Sequence, residues 1–160
     1  MSKAKLKKAL AALDKDQIIE TALELYDARK DAKEWFEFWL DPDARKACEK
    51  AKTAVRRVFY TGDNPRRRPS MTNLNKIIKD FTTVCFDRDE VADFLLYVGE
   101  TETEWLESRY RRISYRSSLK KNIDTAALYI ENNFPDSPYD LRLERLRDRA
   151  NALYVYAGGF

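Results

Sequence analysis

At 160 residues the chain is long enough for one domain with a real hydrophobic core and short for two. Hydrophobic residues at 44% and aromatics at 12% can fill that core, and 36% charged residues in near balance, 30 Lys and Arg against 27 Asp and Glu, exclude a disordered polyelectrolyte. With no histidine, Ser-His-Asp and Cys-His catalysis, histidine-ligated zinc and the Glu-x-x-His di-iron motif are excluded, and the four glycines form no P-loop or dinucleotide-binding cradle.

The N-terminal MSKAKLKKALAAL is basic and amphipathic, with an apolar part too short for a signal-peptide core. It reads as an ordinary first helix over about residues 3–13, with Ser2 placed to cap it. Asp14 and Gln17 have the spacing of a capping box, opening a helix that turns Ile18, Ala22 and Leu25, with Ile19, Leu23 and Tyr26, inward. Asp31 and Glu34 repeat that signal before Trp35, Phe36, Phe38, Trp39 and Leu40, and Asp41-Pro42 opens a fourth helix with proline in its first turn. The stripe of that helix (Ala44, Ala47, Cys48, Ala51, Val55, Val58, Phe59) is narrow, and its small residues allow close approach of a neighbour.

A turn-rich segment, TGDNPRRRPSMT at 61–72, separates this helix from the next, which Thr72 or Asn73 can cap and whose stripe is Leu74, Ile77, Ile78, Phe81 and Cys85. A further helix starts at 87–90 with Val91, Phe94, Leu95 and Val98 inward, and Gly99 suits its left-handed stop. The stretch from 101 to about Phe134 is the longest helical pattern, but it does not keep one face: Leu106, Tyr110 and Ile113 lie roughly 100° from Leu119, Ile123, Ala127, Ile130 and Phe134. This predicts a kink or break within 114–118, or two different partners for the two halves. Ser137-Pro138 opens the last helix, with Tyr139, Leu143, Leu146, Ala150, Leu153 and Ala157 recurring at steps of three and four, and Gly158-Gly159 ends it. The expectation is an all-α protein, one helical domain over 1–160, built as a compact irregular array of about seven or eight helices with some of the helix-pair logic of α-solenoids.

Cys48 and Cys85 both fall on apolar stripes, which predicts buried, unpaired thiols in a reducing compartment and a cytoplasmic location. No apolar run approaches the roughly 18–20 residues of a membrane span. A formal charge of +3 is modest for a nucleic-acid binder, so any polyanion partner must be read from local clusters. Arg66, Arg67 and Arg68 stand between two prolines that stiffen the loop; a solvated connection and a phosphate contact are both compatible with them. Arg109, Arg111, Arg112, Arg116, Lys120 and Lys121 face only Glu104 and Glu107 over the same stretch, with Tyr110 and Tyr115 interleaved as possible base-stacking platforms. The four arginines Arg142, Arg145, Arg147 and Arg149 lie among Asp140, Glu144 and Asp148 and read as intrahelical pairs. Glu20, Glu24, Asp27 and Asp31 read as a solvated face, and no metal or cofactor site is expected. The run Trp35–Leu40 spans about 200° of helix surface, wider than one buried face needs. Trp35, Phe38 and Trp39 are therefore the candidates for a protein-binding anchor.

The pattern Ser2-Lys3, Leu6-Lys7-Lys8, Leu10, Leu13, Asp16, Ile18-Ile19, Leu23, Leu25-Tyr26 and Lys33-Glu34-Trp35-Phe36-Glu37-Phe38, with Leu40 and Pro42, resembles an uncharacterised bacterial family of small helical proteins, a domain of unknown function. The terminal Gly158-Gly159-Phe160 echoes it more weakly. The resemblance lies mainly over residues 1–42 and implies a bacterial, cytoplasmic, all-helical protein, with no functional residues. The expected function is a non-enzymatic helical interaction module that binds another protein. Nucleic-acid binding through the 66–68 loop and the 109–121 helix is the alternative. A carboxylate-and-arginine enzyme would need a deep pocket where those groups converge.

Overall fold

The structure, a computed structural model, describes residues 2–40, 42–60, 68–108 and 115–155. Among these, the regular elements are eight α-helices and there is no strand: α1 (Lys3–Leu10), α2 (Lys15–Ala28), α3 (Lys30–Leu40), α4 (Ala44–Tyr60), α5 (Met71–Val84), α6 (Arg88–Ser108), α7 (Arg116–Asn133) and α8 (Asp140–Val155). The all-α expectation and the helix number are met. Contacts divide the chain into two units, Met1–Pro42 and Asp43–Phe160.

In the first unit the capping box forms as the spacing predicts. Asp14 Oδ1 accepts from the Gln17 backbone N–H at 2.8 Å, and Gln17 Oε1 accepts from the Asp14 N–H at 3.0 Å. Ser2 occupies the N-cap of α1 without a side-chain hydrogen bond, and the helix ends at Leu10, three residues earlier than expected. Helices α2 and α3 pair through aromatic edges: Tyr26 lies 6.3 Å from Phe36, and Phe36 stands edge-on to Trp35 at 5.1 Å. None of the residues of α1, α2 or α3 is buried.

The second unit is organised around α6, which packs against α4, α7, α8 and α5. Its buried residues (Val91, Ala92, Phe94, Leu95, Leu96, Val98, Gly99, Thr101, Glu102, Thr103, Trp105, Leu106) cover roughly 220° of the helix surface, and between Val91 and Glu107 only the stripe Asp93, Tyr97, Glu100, Glu104 and Glu107 is half-buried or exposed, as befits a helix with neighbours on most sides. Phe94 meets Phe81 of α5 at 4.5 Å between ring centroids, and Trp105 meets Phe59 of α4 at 5.9 Å and Tyr115 at 5.2 Å. The stripes expected on α4, α5, α7 and α8 supply the facing surfaces: Cys48, Val55, Val58 and Phe59; Leu74, Phe81 and Cys85; Leu119, Ile123 and Ile130; Leu143, Leu146 and Ala150. Both cysteines are free and buried.

Further boundaries differ from the sequence reading. Helix α4 is capped by Asp43, whose Oδ1 accepts from the Lys46 N–H at 2.9 Å, so Pro42 precedes the cap. Helix α5 is capped by Ser70, whose Oγ accepts from the Asn73 N–H at 3.3 Å, ahead of the expected Thr72 or Asn73. Gly99 does not stop a helix. Helix α6 runs through it for nine more residues, and the stretch expected to begin at 101 is its second half. Of the two faces that demanded a break, Leu106 lies on α6 and Leu119, Ile123, Ala127 and Ile130 lie on α7; residues 109–114, including Tyr110, Ile113 and Ser114, lie outside the described residues, as do Ala157 and the glycines after α8.

Glycine is placed at 99 by packing. A Cβ there would stand 2.9 Å from Leu146 Cδ2 and 3.5 Å from Ile123 Cγ1, so α8 and α7 both approach α6 at this point. Leu146 is itself buried and has little room to yield. Gly99→Val is expected to destabilise the fold by about 1–3 kcal/mol through overpacking, outweighing the gain in helix propensity. Urea denaturation reads this as a lower midpoint; an unchanged or raised midpoint would show that the α6–α8 contact does not constrain this position.

Candidate functional site

Packing α4 and α8 on α6 brings its charged side chains against theirs. Asp93 of α6 receives Lys52 of α4 at 2.5 Å and pairs on its other oxygen with Arg142 of α8. The same guanidinium makes a fork with Glu100, Nε to Oε1 at 2.6 Å and Nη2 to Oε2 at 2.8 Å. One turn-pair further on, Arg149 forks onto Glu107 at 3.1 and 2.7 Å. The expectation that these arginines pair within their own helix is corrected for Arg142 and Arg149: both reach across to α6. Burial works to raise the Asp93 pKa, but Lys52 and Arg142 outweigh it and hold the carboxyl below its ordinary value.

Cys48, Glu90 and Asp93 place three potential ligand atoms within 4.8 Å of one another. The chemistry of the set does not favour a cation. Burial and the contact with Glu90 push the Cys48 thiol up to about 12, and its S–H points to the Glu90 carbonyl oxygen at 3.6 Å. Asp93 is already neutralised by two cationic side chains. The cluster is the end of the ion-pair seam.

Of the nine basic residues singled out from the sequence, Arg66, Arg67, Arg109, Arg111 and Arg112 lie outside the described residues. Arg68 is exposed just before α5. On α7, Arg116 donates through Nη2 to the Leu153 carbonyl at 2.6 Å and Lys120 pairs with Asp124 at 3.0 Å, while Lys121 is exposed. Two of the four described members are thus engaged by this chain's own acceptors. In the aromatic set, Trp35 and Phe38 are half-buried, and Trp39 stacks on Trp35 at 6.3 Å yet keeps 59% exposure. Glu20, Glu24, Asp27 and Asp31 are all exposed, as a solvated face requires.

Glu102 is the residue that sequence reasoning missed. It was read as part of a helix start, but it lies fully buried in mid-α6 between Thr101 and Thr103, which are also buried. Its Oε2 accepts from Asn122 Nδ2 of α7 at 2.7 Å, whereas Oε1 has no hydrogen-bond partner. The Ser118 hydroxyl stands beside the carboxyl and donates to Met71 Sδ of α5 at 3.1 Å. Burial raises the carboxyl to about 7, with the contacts to Asn122 and Ser118 opposing the shift. The only sequence-level sign is indirect: Glu102 falls one helical turn after Val98 on the inward stripe once α6 is continued through Gly99.

A carboxyl that ionises more readily unfolded than folded subtracts stability as pH rises from its ordinary range through about 7. The wild type is therefore expected to lose on the order of 3 kcal/mol between pH 5 and pH 8 relative to Glu102→Gln. Denaturation midpoints of the two proteins across that range measure it; parallel pH profiles would show that Glu102 is not held in a desolvated site.

The described helices include none long and apolar enough to cross a membrane. No curated protein and no solved structure matches the chain. A family model described as a family of unknown function (DUF6155) matches residues 1–154, far beyond the first 42 residues that carry the resemblance in the sequence. With that match covering nearly its whole length, the chain belongs to this family of unknown function.

Proposed function

We propose that the protein is a non-enzymatic helical interaction module that binds another protein through the surface of α1–α3, in the bacterial cytoplasm. The observation that carries this reading is the composition of three helices with no buried residue: Leu6, Ile18, Ile19, Leu23, Trp39 and Leu40 are all exposed, the last at 72%. Helices of 8, 14 and 11 residues are marginal in water without tertiary cover. Large apolar side chains gathered on one unit are what a partner's surface would bury. Trp39 stacked on Trp35 offers a rigid anchor of the kind that dominates interface energies. The two free thiols support a reducing compartment.

The alternative, nucleic-acid binding, retains Arg68 and Lys121 as exposed cations. It is the weaker reading because Arg116 and Lys120 are already held by Leu153 and Asp124. The enzyme reading lacks its discriminating feature among the described residues, where the arginine–carboxylate convergence is an ion-pair seam between packed helices.

A photo-crosslinking amino acid placed at Trp39 in the native cell tests the proposal. The expected result is a discrete adduct with a second protein that a Leu23→Asp, Leu25→Asp variant reduces at least about tenfold, as loss of a buried apolar contact predicts. Adducts confined to the chain's own residues 43–160, or an adduct indifferent to the aspartates, would overturn it.

A further inference from the structure

A groove of about 380 Å³ runs between α5 and α7 with α6 as its floor, clear of the ion-pair seam. Its size falls at the lower end of the range for small-molecule clefts. Leu95 and Val98 of α6, with Ile78 of α5, give it an apolar base. Lys79 of α5 and Lys121 of α7 stand on opposite walls, and no carboxylate is among the residues that line it. The electrostatics therefore select an anion, and the base selects an apolar body attached to it.

The third element is Asn122, a buried amide at the α6–α7 side of the same groove. Its Nδ2 is committed inward to Glu102 Oε2, which fixes the plane of the amide and leaves Oδ1 as the atom able to serve the groove. A fully buried carboxyl with one unsatisfied oxygen is costly, and the hydrogen bond it does make across helices is the one that holds Asn122. Oriented in this way, Asn122 presents an acceptor and calls for a donor on the ligand.

We infer that the groove is a binding site for a small amphipathic carboxylate that also carries an N–H, with its apolar part on Ile78, Leu95 and Val98, its carboxylate met by Lys79 and Lys121, and its N–H donated to Asn122 Oδ1. An acylated apolar amino acid has all three features at the required size. Glu102 is then a positioning residue that acts through Asn122. The inference is independent of the protein-binding surface on α1–α3.

N-acetyl-leucine is the direct probe, followed by NMR chemical-shift titration of the full-length protein. The expected result is saturable shifts at residues of α5 and α7 that line the groove. N-acetyl-leucine amide, which lacks the negative charge, should bind about tenfold or more weakly, as should the acid to a Lys79→Ala, Lys121→Ala variant built at exposed positions. The ester analogue 2-acetoxy-4-methylpentanoate lacks the N–H and should bind several-fold more weakly than N-acetyl-leucine to the wild type, with that preference kept in Glu102→Gln, whose carbonyl still accepts from Asn122 Nδ2, and lost in Glu102→Leu, which has no acceptor. A general loosening of the fold would weaken both ligands alike and leave the ratio standing. Equal binding of acid and amide, an unchanged preference in Glu102→Leu, or no shift at the groove residues would each overturn the assignment.

Discussion

Most of the surface of α6 is covered by other helices, and that helix carries Asp93 and Glu100 half-buried, and Glu102 with two threonines fully buried, among them. The surrounding helices are arranged to answer them. Lys52 of α4 and Arg142 of α8 converge on Asp93, Arg142 also clamps Glu100, and Asn122 of α7 reaches Glu102. Thr103 satisfies its hydroxyl within the helix, donating to the Gly99 carbonyl at 2.7 Å. Apolar contact alone supplies most of the driving force for packing α4, α7 and α8 on α6, but it is non-directional. These polar contacts specify which helix sits where and in which register, because a slip along α6 would leave a partly buried charge without a partner.

Much of the second unit was legible because α4, α5, α7 and α8 each have one narrow inward face. On α4, α5, α7 and α8 the 3.6-residue period marks Cys48, Leu74, Leu119 and Leu146 as core, and all four are buried. On α6 the inward arc is far wider, with only the 93, 97, 100, 104 and 107 stripe left unburied, so the period marks no narrow face and the helix was divided at Gly99. The sequence Gly-Glu-Thr-Glu-Thr-Glu looks like a stop followed by a new cap, yet the glycine is there to admit Leu146, and Glu100 and Glu102 are paired across helices, with Arg142 and Asn122. The inter-helix arginine forks were hidden for a related reason. Glu100 and Glu107 are seven residues apart, as are Arg142 and Arg149, so each pair shares a helix face. Nothing local to either helix says that those two faces meet.

The candidate sites were less legible than the fold. Arginine runs identify charge without saying who neutralises it, and α7 shows that a cation such as Lys120 or Arg116 can be occupied by the chain itself. The aromatic run was the better guide, since its angular width exceeds any single buried face and Trp39 indeed remains exposed. Glu102 shows the opposite situation, a charged residue of ordinary appearance made unusual only by burial.

The two units differ in how their apolar residues are used: around α6 they are enclosed, and in α1–α3 they stay exposed. Native-state hydrogen exchange of the isolated protein, resolved helix by helix, tests this contrast most directly. The account predicts that α6 amides exchange only through global unfolding while α1–α3 amides exchange faster by several orders of magnitude, as short uncovered helices do. Protection of α1–α3 equal to that of α6 in the isolated protein would contradict it.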